Sequence, residues 1–80
     1  MKSNDGKIAR NMVLKAVVSY NAGQMEAALD AFNGCMDSFQ DSSDNDILGI
    51  VGSAMWEKIF VLRDMGRTQE ALEAWGQFVA

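Results

Sequence analysis

The sequence predicts an all-α protein of two antiparallel helical hairpins, four helices in all, stacked as in a fragment of an α-solenoid. Three observations carry this. Proline is absent while Ala, Leu, Met, Gln and Glu recur, a composition that favours helix. Apolar residues return at steps of three and four along most of the chain. A phrase is also repeated. Gly23 to Phe32 reads Gly-Gln-Met-Glu-Ala-Ala-Leu-Asp-Ala-Phe, and 43 positions later Gly66 to Trp75 reads Gly-Arg-Thr-Gln-Glu-Ala-Leu-Glu-Ala-Trp. Repetition at such a period marks stacked helical hairpins.

The first helix is expected from Asn4 or Asp5 to Asn21. Ile8, Met12, Ala16 and Tyr20 form one row, with Ala9, Val13 and Val17 beside it. Leu14 and Val18 fall off that stripe, so this helix is expected to touch neighbours on two sides. Gly23 ends it, supplying the left-handed residue that helix ends favour. The second helix is expected from Gln24 to Phe39, with Met25, Ala28, Leu29, Phe32, Cys35, Met36 and Phe39 on one stripe and a single packed side. Residues 40–46 are a polar loop rich in Asp and Ser, whose side chains suit a helix N-cap.

The third helix is expected from Ile47 to Asp64. It is apolar nearly all round, from Ile47 and Leu48 to Val61 and Leu62, so it should be central. Gly49, Gly52 and Ser53 lower its propensity, and the expected return is close approach of another helix. The fourth helix begins near Thr68, with Ala71, Leu72, Trp75, Phe78 and Val79 as its stripe. Its apolar end at Ala80 points to a fragment or to cover by a partner.

The length allows one small domain over residues 1–80, with a first repeat at about 4–46 and a second at about 47–80. A core of this size is usually stapled by disulfides or metals. With one cysteine and no histidine, packing alone must hold it. The net charge of −4 disfavours nucleic acid, which selects clustered Lys and Arg, and an anionic membrane surface. No apolar run reaches the roughly 18 residues of a membrane span, and Ser3-Asn4-Asp5-Gly6 is no leader core. A cytoplasmic location is expected.

Catalytic chemistry has little to stand on. Without histidine there is no imidazole base or metal ligand. Cys35 lies on an apolar stripe and reads as a buried small hydrophobe. Asp41, Asp44 and Asp46 lack the glycine and closing glutamate of a calcium loop. No catalytic residue, metal site or cofactor is expected, and the protein reads as a non-enzyme.

Overlaid at the repeat, Gly6 meets Gly49, Met12 meets Met55, Lys15 meets Lys58, Val18 meets Val61 and Phe32 meets Trp75. Ala28 and Ala71 let paired helices approach, while Phe32 and Trp75 should fill the space between adjacent hairpins. At these residues the chain resembles the tetratricopeptide repeat family, through two copies of Gly-x-x-x-x-Ala-Leu-x-x-aromatic. Its period exceeds the family's usual ~34 residues, and the proline that often closes the second helix is missing. The resemblance implies a scaffold that binds a protein or peptide partner in a groove lined by the first helix of each pair. Val13, Val17, Tyr20 and Asn21 take those positions in the first copy, and Trp56, Phe60, Arg63 and Asp64 in the second. Lys7, Arg10, Lys15, Lys58 and Arg63 do not reproduce the clamp for acidic C-terminal peptides found in some members. The same apolar surface also suits a structural self-assembly unit, as a homodimer or larger homo-oligomer, or cover by the rest of a larger protein.

Overall fold

The computed structural model describes residues 3–79. Residues 1, 2 and 80, which the sequence reading includes in the domain, lie outside the described residues. Four helices follow one another: α1 (Ser3–Asn21), α2 (Met25–Phe39), α3 (Asn45–Asp64) and α4 (Thr68–Val79). The fold is all-α, and no strand occurs among the described residues.

The two hairpin turns are made the same way. At the end of α1, Gln24 N–H donates to the Ser19 carbonyl at 2.8 Å and Gly23 N–H to the Tyr20 carbonyl at 3.0 Å. At the end of α3, Arg67 donates to Leu62 at 2.9 Å and Gly66 to Arg63 at 3.0 Å. This paired pattern satisfies carbonyls that a helix end would otherwise orphan, and it needs a left-handed residue. Gly23 and Gly66 supply it at φ 81° and 77°. The connection between hairpins works differently. Asp44 caps α3, its carboxylate accepting from Asp46 N–H at 2.9 Å and Ile47 N–H at 3.4 Å. The helix therefore starts two residues before the expected Ile47.

Packing makes α3 the central element. It contacts α1, α2 and α4, while α1 also lies along α2. The Cα extents are 41 × 30 × 14 Å, so the molecule is about two helices deep, given interaxial spacings of 8–10 Å. Such a thin body has a core of small residues. Ala9, Ala16, Ala28, Ala54, Ala71 and Ala74 are all buried, and the bulkiest fully buried side chains are Phe32, Val61 and Cys35.

Several expectations change. The first helix does have neighbours on two sides, but not through Leu14 and Val18, which are exposed, as is Ile8. Added β-carbons at Gly49 and Gly52 would meet nothing within 4 Å, so no helix closes on the glycine face of α3, although Val51 between them is buried. The short side chains of that face instead face space, and the Ser53 hydroxyl donates back to the Gly49 carbonyl at 3.2 Å. Phe32 is fully buried in the core, whereas its counterpart Trp75 remains exposed, because no third hairpin follows within the described chain.

Candidate functional site

The eight expected groove residues fall into two groups, four on α1 and four on α3. Val13, Val17 and Tyr20 on α1 are half-buried and packed against the core. Asn21 is exposed at the end of that helix. On α3, Trp56 and Arg63 are exposed and Phe60 is half-buried. Helix geometry accounts for the α3 set, because residues four apart share a face.

The two groups meet at one seam. The Tyr20 hydroxyl donates to a carboxylate oxygen of Asp64, tying the end of α1 to the end of α3. This hydrogen bond to Asp64 is the first cause that raises the Tyr20 pKa above 10, followed by desolvation and the nearby negative charge. Arg63 lies 3.5 Å from the other Asp64 oxygen. Its guanidinium also stands 4.9 Å from the centre of the Phe60 ring, within the range of a cation–π contact.

Beyond the seam, the α3 aromatics turn toward α4 and meet residues that the groove assignment omitted. Trp56 sits edge-on to Phe60 at 5.1 Å between ring centres. It lies 5.7 Å from Trp75 and 5.5 Å from Phe78. Trp75 and Phe78 stack at 5.9 Å. These separations are those of favourable aromatic pairs. Three of the four rings remain exposed at the surface. Beside them runs a groove of about 280 Å³ lined by Ile59, Arg63, Thr68, Ala71, Leu72 and Trp75. The signal for Trp75, Phe78 and Leu72 was present in the sequence, since they form the α4 stripe.

Chemistry elsewhere is sparse. Cys35 is fully buried, its Sγ lies 3.8 Å from the Ala9 carbonyl oxygen, and burial raises its thiol pKa. Such a thiol is poorly nucleophilic. Among the described residues, no cluster of three or more His, Cys, Asp or Glu could hold a metal ion. No described helix is long and apolar enough to cross a membrane.

The fold and this surface define an all-helical protein of two like hairpins with an aromatic end face. No protein-family model, curated protein or solved structure matches the chain.

Proposed function

We propose that this protein is a non-catalytic protein–protein interaction module of the tetratricopeptide-like kind. It takes a protein or peptide partner on the apolar surface around Trp56, Phe60, Trp75 and Phe78. The observation that supports this reading is the exposed aromatic cluster itself. Contiguous apolar patches on small chains commonly mark interaction sites. Trp and Arg are also the side chains enriched where interfaces concentrate their energy, and Arg63 borders the patch. An amphipathic helix laid along the α3/α4 groove would satisfy it with anchors at helical spacing. The lack of histidine and the burial of the single thiol support a role in binding rather than catalysis. A lone reduced cysteine also suits the cytoplasm.

The test is a titration with amphipathic-helix peptides selected by display against the full chain, followed by tryptophan fluorescence. Saturable binding is expected, and Trp56→Ala should weaken it about tenfold or more while the helical circular dichroism persists. A Trp56→Ala variant that binds as well as the parent would sink the proposal. A second reading, homo-oligomerisation through the same surface, is favoured by the repeat. Leu72, Trp75 and Phe78 are exposed on the second hairpin where the first buries Leu29, Phe32 and Cys35.

A further inference from the structure

The two hairpins are unequal copies, and the inequality indicates what their open faces fit. At the 43-residue period, Leu29, Phe32 and Cys35 of α2 correspond to Leu72, Trp75 and Phe78 of α4. The α2 residues are 6%, 0% and 0% exposed, the α4 residues 60%, 43% and 38%. The difference follows from α3, which packs against α2 and α1. No described helix does the same for α4 and α3.

The converse holds at the other end. Val51 and Val61 of α3 are 7% and 1% exposed, yet their α1 counterparts Ile8 and Val18 are 49% and 67% exposed. Helix α3 has a preceding hairpin to cover it, and α1 has none among the described residues. The chain thus holds one joint between hairpins. It also shows, at opposite ends, an unused version of each half of that joint.

We propose that a second copy of this chain docks head to tail. The outer face of α1, around Ile8, Leu14 and Val18, would lie on the α4 groove at Leu72 and Trp75, repeating between chains the α2/α3 contact made within one. The proposal rests on the binding surface assigned above and supplies its partner. The match is one of apolar surface and repeat position, and charge does not set it. Glu70 and Glu73 lie on another side of α4, beside Lys58, and among the described residues the only charged one lining the groove is Arg63. The joint between chains is also the more polar one, since Asn11 and Ser19 stand where α3 has Ala54 and Leu62. Association is therefore reversible. A head-to-tail contact does not close at two copies, so it builds open chains or rings.

Sedimentation of the full chain from about 1 μM to about 1 mM tests this. The average mass should rise from 8.8 kDa to beyond twice that value. Val18→Asp spoils the α1 face and Leu72→Asp the α4 face, so each alone should remain monomeric. An equimolar mixture should form a species of two chains and no larger one, because each variant retains the half that the other lacks. If Val18→Asp alone still dimerises, the contact is symmetric through α4 and the head-to-tail arrangement is overturned, while the surface itself stands. If the parent chain stays monomeric throughout, the second copy is overturned. The peptide titration then decides separately whether the surface binds anything. Circular dichroism checks each variant, with Leu14→Asp and Leu72→Ser replacing any that unfolds.

Discussion

Phe32 and Trp75 hold the same place in two copies of one sequence unit, and only the first lies in a core. Both follow Ala-Leu-acid-Ala on the second helix of a hairpin, and both hairpins turn on a glycine with the same hydrogen bonds. What separates them is the neighbour. Helix α2 has α3 against it, whereas α4 ends the described stack. In a repeat architecture each unit contacts only the next, so a residue's burial depends on its position in the array as much as on its own unit.

The comparison is sharpest under substitution at those two positions. Phe32→Ala should cost about 3–5 kcal/mol, the range for emptying a buried aromatic site. Trp75→Ala in dilute solution should cost only about 1–2 kcal/mol, from partial aromatic contacts. Urea titration measures both. If a second copy covers α4, the gap should narrow as protein concentration rises, because association stabilises only the chain that can associate. Equal costs at low concentration would break the comparison, by showing that Trp75 is as well packed as Phe32.

The two turns, by contrast, should respond alike. Gly23→Ala and Gly66→Ala each place a β-carbon at positive φ, a penalty of about 1–2 kcal/mol. Open space around both glycines leaves backbone strain as the whole effect. Thermal melts of the two variants should agree closely. A difference would show that the turns, despite matching hydrogen bonds, carry unequal load.

The smallest expected effect belongs to a feature of the second turn alone. Arg67 grips Glu70 through two contacts of 2.6 Å, at positions where the first turn has Gln24 and Ala27. The Arg67 hydrogen bond holds the Glu70 pKa below its ordinary 4.5. The pair's contribution is thus present above that value and fades as pH falls below it. Both partners are solvated and salt screens them, so the effect is slight. Stability of Glu70→Gln against the parent, followed from neutral pH into acid, should show a small gap that closes below pH 4.5. A gap unchanged by acid would remove the ion pair from the account.

The helices and turns were legible because their causes are local. Glycine at positive φ, an Asp N-cap and apolar spacing near 3.6 act within a few residues, and the four helices lie within about two residues of their expected bounds. Which faces would be covered was not local. Leu14 and Val18 are as apolar as Val61, but their cover depends on a hairpin that would precede α1. Gly49 and Gly52 suggested close contact because small residues permit it, yet permission does not supply a partner. The candidate surface shows the same division. Trp56, Phe60 and Arg63 were legible as a group from helical spacing, and their meeting with Trp75 and Phe78 required the α3/α4 crossing.

Cys35 gives the first hairpin a chemical clock. Its sulfur is enclosed beneath α1, beside the Ala9 carbonyl. A thiol reagent can reach it only when the packing around α2 opens, so the labelling rate reports those openings. Because the α4 face lies at the opposite end of the stack, that rate monitors the first hairpin while the surface of the second is altered at will.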